Sequence, residues 1–286
     1  MATTHTEELV YATTEDGLRL EGLAITPASH AMRPTSIIWI HGNAAAFSAP
    51  GYVLLGRELA ARGYLVVIGN TRGHDIAAML WRAGEPMPAG GGAGWERLEE
   101  APRDLAAWVE VATALLPGGV VLAGHSSGAQ RVVLYQAERQ DARIAGLVLA
   151  SPDLRGFFAP GEVDAARQLV AEGRGAEVTP AQSWAPWYRQ SAQTVVSKAD
   201  ILAYLLEAPD GEPTIAAIRD PLLAFFGTNE PGGTATLAAI QRQARAATNI
   251  TTDVVAGADH FYTGHEADVA AAIARWAATL ASGLVP

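Results

Sequence analysis

The chain has 286 residues, of which 49% are apolar and 17% are charged, a composition that supplies a large hydrophobic core and argues against disorder. The net charge is −10 and Lys198 is the only lysine, which argues against nucleic acid or an anionic membrane as a partner, because both need clustered basic side chains. Cysteine is absent, and this excludes disulfides, thiol catalysis and a cysteine-based metal site.

The first residues and the apolar stretches indicate where the protein is found. The segment MATTHTEELV has no basic region followed by an apolar core, so it does not look like a secretory signal. No stretch approaches the roughly 18 uninterrupted apolar residues of a membrane span. We therefore expect a soluble, cytoplasmic protein.

The chain opens with a predicted hairpin, in which Asp16-Gly17 separates two strand-like runs. The predicted strands lie at residues 9–13, 18–25, 35–40, 64–68, 120–123, 144–150, 222–226 and 250–255. The predicted helices lie at residues 52–62, 99–116, 129–139, 163–172, 199–207, 233–247 and from 266 onward. Strands alternating with helices predict an α/β fold, a mostly parallel sheet of eight strands with helices on both faces.

Two stretches interrupt this alternation. Residues 76–100 are predicted to be irregular, and the glycines at 90–92 and 94 are typical of a mobile loop. Residues 154–218 hold helical pieces and several prolines, but no convincing strand. No internal repeat is present, and no linker divides the chain into two independent domains.

The organising motif is Gly124-His125-Ser126-Ser127-Gly128, which joins the apolar run at 120–123 to a predicted helix. A serine at a sharp strand-to-helix turn has a strained backbone, and its hydroxyl stands clear of the sheet edge. Glycines flank it because a side chain there would collide with the neighbouring strand and helix. The alternative is an ordinary serine in a tight turn, but the strand before it and the helix after it favour a nucleophile.

A serine hydroxyl needs a base to take its proton, and that base needs an acid to orient it. His260 is the candidate base, because it follows the last predicted strand through a short loop. Glu230 is the candidate acid, in the loop after the strand at 222–226. Asp153 is the alternative acid, since it follows the strand at 144–150 and the carboxyl ends of parallel strands face one crevice.

The tetrahedral intermediate of acyl transfer needs N–H donors aimed at its oxyanion. One candidate donor is the N–H of Ser127, directly after the nucleophile. The other is the N–H of Asn43, because His41-Gly42-Asn43 follows the strand at 35–40 and its glycine permits close backbone approach. The alternative for that loop is a tight turn that needs only its glycine.

With these residues in this order, the chain resembles members of the α/β-hydrolase superfamily, in particular its serine esterases and lipases. The resemblance spans nearly the whole chain, and the order Ser126, Glu230, His260 is the family's nucleophile–acid–histidine order. It rests on the opening hairpin, His41-Gly42, Arg72-Gly73-His74, residues 124–128, Gly227-x-x-Glu230 and His260. One departure is a glutamate where aspartate is commoner, and this keeps Asp153 under consideration.

The resemblance implies a core domain of residues 1–153 and 219–286, with residues 154–218 as a helical cap over the site. It also implies hydrolysis of an ester, lactone, thioester or amide through an acyl-enzyme on Ser126, with no metal and no organic cofactor. Candidate substrate-binding aromatics in the implied cap are Phe157, Phe158, Trp184, Trp187 and Tyr188, with Tyr204 also in this segment. They favour an apolar or aromatic small-molecule substrate, although aromatics in a cap also pack against the cap itself.

Other functions remain open. The same fold supports acyltransferases, cyclases and lyases on similar triads, and it has non-catalytic ligand-binding members. The presence of candidates for nucleophile, base, acid and oxyanion donors argues against the non-catalytic alternative. The oligomeric state is also open, with a homodimer among the alternatives.

Overall fold

A computed structural model describes residues 5–28, 32–179 and 188–280. The strands are β1 (His5–Thr13), β2 (Leu18–Pro27), β3 (Ser36–Ile40), β4 (Val66–Gly69), β5 (Ala78–Arg82), β6 (Ala89–Gly91), β7 (Val120–His125), β8 (Ile144–Ala150), β9 (Leu222–Gly227) and β10 (Ile250–Val255). The helices are α1 (Pro50–Ala61), α2 (Ala101–Leu115), α3 (Gly128–Arg139), α4 (Glu162–Ala171), α5 (Ala192–Leu205), α6 (Gly233–Gln243) and α7 (Glu266–Leu280).

Within these residues the strands form one ten-stranded sheet in the order β10-β9-β8-β7-β3-β4-β2-β5-β6, with β1 paired to β2. From β10 to β4 every pairing is parallel, and the remaining pairings are antiparallel. All residues of β3, β7 and β9 are buried, which is why these strands are continuous apolar runs in the sequence. The predicted mostly parallel sheet is confirmed.

Helices cover both faces of the sheet. On one face α2, α3 and α6 pack their apolar sides over the strands, with Trp108 and Tyr135 among the largest fully buried side chains. On the other face α1 and α7 do the same around Trp39 and Trp276. Among the helices of the described ranges, none combines the length and the apolar character needed to cross a bilayer.

The prediction that residues 76–100 are irregular throughout is wrong. Strands β5 and β6 form an antiparallel hairpin there, and β5 also pairs with β2. Ala93 is fully buried, and the N–H of Gly92 donates to the carbonyl of Arg72. The hairpin was missed because only Leu80 is buried in β5, so the period-two apolar pattern of a strand is almost absent.

The segment between β8 and β9, residues 151–221, is here called the β8–β9 segment. Its described part contains α4, α5 and a short 3₁₀ helix, Thr214–Ala217. Helix α5 begins at Ala192, earlier than the predicted start at 199, because Ser191 caps it by accepting the N–H of Thr194. Leu202 and Leu205 of α5 join the main core, so this segment is packed onto the sheet.

Candidate active site

Ser126 lies at a sharp turn between β7 and α3. Its φ is +54°, a left-handed conformation that costs a non-glycine residue free energy, and its N–H donates to the carbonyl of Ala150 at 2.9 Å. A Cβ on Gly124 would lie 2.4 Å from the Gly128 backbone, and one on Gly128 would lie 2.5 Å from the Ile40 carbonyl oxygen. The strand, the turn and the helix therefore approach so closely that only glycine fits at both positions.

His260 lies in the loop after β10 and faces Ser126. Its Nε2 is 3.1 Å from the Ser126 Oγ, and its Nδ1 is 2.7 Å from the Glu230 Oε2. With the Nδ1 proton donated to the carboxylate, Nε2 is free to accept the proton of the serine hydroxyl. The structure thus brings together three residues that lie far apart in the sequence.

Glu230 is held by more than His260. Its Oε1 accepts the N–H of Gly227 at 2.8 Å and the hydroxyl of Ser151, and Ser151 in turn is 2.5 Å from the hydroxyl of Tyr262. Burial alone would raise the pKa of Glu230, but the hydrogen bonds from His260, Ser151 and Gly227 outweigh it and the pKa is lowered. Glu230 is therefore ionised at neutral pH.

Asp153, the alternative acid, is not hydrogen-bonded to His260. Its Oδ1 accepts the N–H of Gly156 at 3.0 Å, and its Oδ2 lies 3.4 Å from the side-chain amide of Gln130. The structure therefore brings Glu230, and not Asp153, to His260.

A hydrogen-bonded chain links the loop after β3 to the loop that carries His260. The Gly42 N–H donates to the Tyr52 hydroxyl at 3.0 Å, and that hydroxyl is 2.8 Å from the His125 Nδ1. The His125 Nε2 is 2.7 Å from the carbonyl oxygen of His260. Burial, with repulsion from His260, lowers the pKa of His125 to about 4, so the ring is neutral, accepting at Nδ1 and donating at Nε2.

The candidate oxyanion donors border the same cavity as Ser126. Asn43 follows β3 and Ser127 precedes α3, and both line the cavity. A Cβ on Gly42 would lie 3.1 Å from the Ser126 Cβ, so the loop after β3 packs directly against the serine. Within the described residues no group accepts the backbone N–H of Asn43 or of Ser127, so both donors are available to an oxyanion.

The cavity beside Ser126 has a volume of about 620 Å³. Three of the aromatics that the sequence offers as candidates for substrate binding line it, namely Phe157, Phe158 and Tyr188 of the β8–β9 segment, whereas Tyr204 does not. The Tyr188 hydroxyl is engaged with the Asn43 Oδ1 at 3.0 Å. Trp184 and Trp187 lie outside the described residues. In the part of the chain that the structure describes, no group of three or more acidic or histidine side chains is arranged to hold a metal ion.

The sequence over residues 37–272 matches a family described as "Alpha/beta hydrolase family". This chain belongs to that family. Among curated proteins, none matches it.

Solved structures share the fold of this alpha/beta hydrolase over nearly its whole length. Est1E from Butyrivibrio proteoclasticus, with ferulic acid bound, is 18% identical with a TM-score of 0.68, over 96% of this chain and 99% of that one. A thermostable carboxyl esterase from Bacillus coagulans, in complex with glycerol, is 14% identical with a TM-score of 0.73, over 96% and 99%. The alpha/beta hydrolase GrgF from Penicillium sp. sh18 is 14% identical with a TM-score of 0.70, over 96% and 98%. At these identities the likeness shows a common fold.

Sequence reasoning missed the polar residues that support the site of this alpha/beta hydrolase. Ser151, Tyr52 and Tyr262 carry no motif of their own, and only the fold brings them beside Glu230 and His125. A buried ionic cluster beside Asn43, formed by Glu96, Arg131 and Lys198, was missed as well. Its one sequence signal is that Lys198 is the only lysine in the chain.

Proposed function

We propose that this alpha/beta hydrolase is a serine hydrolase that cleaves a carboxylic ester, or a related lactone, thioester or amide, through an acyl-enzyme on Ser126. The observation that carries the proposal is the unbroken contact from the Ser126 Oγ through His260 to Glu230. Family membership supports a hydrolase, and the structures that share this fold include esterases.

The geometry suggests a role for each group. The Ser126 Oγ attacks the substrate carbonyl while His260 takes the hydroxyl proton, and Glu230 stabilises the resulting imidazolium. The N–H groups of Asn43 and Ser127 bind the oxyanion, each typically worth about 10²–10³ in rate. His260 then protonates the leaving alcohol as the bond to it breaks. A water molecule, deprotonated by His260, attacks the acyl-enzyme and releases the acid.

We further propose that residues 154–218 act as a cap that forms the substrate-binding side of the cavity. The support is that Phe157, Phe158 and Tyr188, all from this segment, line the same cavity as Ser126 and His260. An apolar cavity of this size suits a small substrate with an apolar or aromatic group. The ferulic acid bound to Est1E is an aromatic acid bound by a protein of the same fold.

The test combines labelling with turnover. A fluorophosphonate probe is expected to label wild-type protein and not Ser126→Ala, and 4-nitrophenyl esters of increasing chain length are expected to be hydrolysed. Ser126→Ala should lose at least about 10³ of turnover with little change in melting temperature, because the side chain lies at the cavity and not in the core.

Other outcomes point elsewhere. Labelling of Ser126 without turnover in water would favour a transferase, cyclase or lyase on the same triad. Absence of labelling, or an unchanged rate in Ser126→Ala, would contradict Ser126 as the nucleophile.

A further inference from the structure

The only lysine of the chain lies in the wall of the candidate active site. Lys198 is on α5, is 7% exposed, and lines the cavity together with Ser126 and Asn43. Its Nζ is 3.0 Å from the Glu96 Oε1 and 3.4 Å from the Asn43 Oδ1. The ammonium group therefore lies beside Asn43 at the edge of the cavity.

Lys198 is not needed to neutralise Glu96. The Arg131 Nη2 lies 2.7 Å and 2.6 Å from the two Glu96 oxygens, and the Arg131 Nη1 donates to the Ser127 carbonyl at 3.0 Å. The Glu96–Arg131 pair is therefore neutral by itself, and Arg131 has hydrogen-bond acceptors at both Nη atoms. Adding Lys198 gives this buried cluster a net charge of +1.

Within ion-pair distance, no second acid of the described residues balances that charge. Among the described residues, Glu96 is the only acid within ion-pair distance of Lys198, and residues 180–187 contain no Asp or Glu. Burial lowers the pKa of Lys198, but attraction to Glu96 outweighs it and the pKa is raised, so the group is charged at neutral pH. A buried charge without its own counterion lowers the stability of the folded protein.

The hydrogen-bonding capacity of the ammonium is also incompletely used. A lysine has three N–H donors, and the described residues supply Glu96 and, at a long distance, Asn43. The third donor finds no acceptor among them, and the residue lines the cavity. Within the described residues one donor therefore remains for a ligand, and the ammonium shares its one contacting acid with Arg131.

From this excess charge and free donor we propose that the cavity contains a subsite for a carboxylate of the substrate, bound by the Lys198 Nζ. The inference deepens the proposed function, on which it rests, by naming a substrate class: esters whose acyl part carries a second, ionised carboxyl group. Asp153 is the only acidic residue among those lining the cavity, and its two oxygens accept from Gly156 and Gln130. Its repulsion disfavours a carboxylate beside Asp153, whereas the Lys198 ammonium attracts one.

The test compares matched esters that differ only at the far end of the acyl chain. Mono-4-nitrophenyl adipate ends in a carboxylate, and 4-nitrophenyl hexanoate has a methyl group at the same position. Succinate, glutarate and pimelate half-esters with their neutral counterparts vary the length. A charged hydrogen bond is worth about 1.5–3 kcal/mol, so at the best length wild-type kcat/KM should favour the half-ester about 10- to 150-fold.

The readout for Lys198 is the ratio of the two kcat/KM values, because general damage to the enzyme cancels in it. Lys198→Met should lower this ratio at least about tenfold, and Lys198→Arg should retain part of it, because it keeps the charge. A wild-type ratio at or below one at every chain length would overturn the subsite, and so would an unchanged ratio in Lys198→Met. Hydrolysis of the neutral ester by wild type but not by Ser126→Ala would meanwhile leave the proposed function standing.

A binding measurement makes the inference independent of turnover. Calorimetric titration of adipate and its homologues into Ser126→Ala should detect binding, and adding Lys198→Met should weaken it at least about tenfold. Equal affinity in both proteins, or no binding of any dicarboxylate, would overturn the subsite. Failure of every ester to turn over, together with lysine-dependent dicarboxylate binding, would overturn the proposed hydrolysis but support the subsite.

Discussion

The parallel sheet and the β8–β9 segment meet at the same cavity, but different interactions hold them in place. Around Ser126 the backbone of β3, β7 and α3 approaches so closely that glycine is required at 124 and 128. Helix α5 instead contacts the rest of the molecule through buried polar side chains as well as apolar ones. We call these residues the polar seam: Gln190, Ser191, Thr194, Ser197 and Lys198.

The polar seam bonds mainly to residues 93–99. The N–H of Ser191 donates to the Gly94 carbonyl at 2.7 Å, and the Leu98 N–H donates to the Ser197 hydroxyl at 2.7 Å. Directional bonds of this kind fix position but are easily exchanged for water once broken, whereas close backbone packing has no such alternative. We therefore expect the sheet beside Ser126 to be the more rigid of the two regions.

The largest expected effect is on kcat, and it distinguishes Glu230, which follows β9, from Asp153, at the start of the β8–β9 segment. Glu230→Gln should lower kcat by about 10²–10⁴, because the amide no longer stabilises the His260 imidazolium. Asp153→Asn should change the rate on a neutral ester less than tenfold, since Asp153 is not hydrogen-bonded to His260. Steady-state kinetics on 4-nitrophenyl esters would measure both. Equal effects would contradict the assignment of Glu230.

Two glycines test the difference in packing directly. Gly124→Ala would place a Cβ 2.4 Å from the Gly128 backbone, so β7 and α3 must move apart, and we expect a loss of about 3 kcal/mol or more in the free energy of unfolding, with activity lost. Gly173 of the segment has φ +76° and no atom near the added Cβ, so Gly173→Ala should cost only about 1 kcal/mol of backbone strain. Urea denaturation would give both values, and similar costs would show that the sheet is not the more tightly packed region.

Ser197→Ala tests the polar seam. The substitution leaves the buried N–H of Leu98 without its acceptor, which should cost about 1–3 kcal/mol. We expect the loss to increase proteolytic cleavage within the segment before it affects the sheet. Thermal unfolding and limited proteolysis would measure this, with Thr279→Ala on α7 as a control far from the seam. Identical cleavage in both variants would argue against a role for the seam in attachment.

A further expected effect concerns acid. Burial, followed by repulsion from Arg131, lowers the pKa of His41 from 6.5 to about 3. Between these two values His41 is protonated in the unfolded chain but not in the folded chain. The free energy of unfolding therefore decreases as the pH is lowered, by up to about 1.4 kcal/mol per pH unit for this residue. His41→Asn should flatten that slope in denaturation curves from pH 4.5 to 7, and an unchanged slope would contradict a neutral buried His41. The β8–β9 segment has no histidine, so acid should loosen the sheet region first.

The sequence predicts the parallel sheet and its loops better than it predicts the β5–β6 hairpin and the β8–β9 segment. Buried parallel strands are continuous apolar runs, and the turn at Ser126 has its own glycine signature, so the sheet, Ser126, His260 and Glu230 could all be placed by order along the chain. The β5–β6 hairpin has almost no buried face, so its strands carry no clear pattern. The first turns of α5, after the cap Ser191, contain β-branched residues, which do not favour a helix in the sequence. The roles of Ser151, Tyr52 and Lys198 depend on contacts between distant segments, which no local pattern encodes.

Lys198 carries the only side-chain amine of the protein, and this allows its cavity to be probed by chemical modification. Reagents that acylate or methylate amines find a single side chain to modify in this protein, and it borders the cavity. A molecule that fills the cavity shields that side chain from the reagent. The extent of modification, read by mass spectrometry, then reports how much of the protein is occupied, without any need for the bound molecule to react.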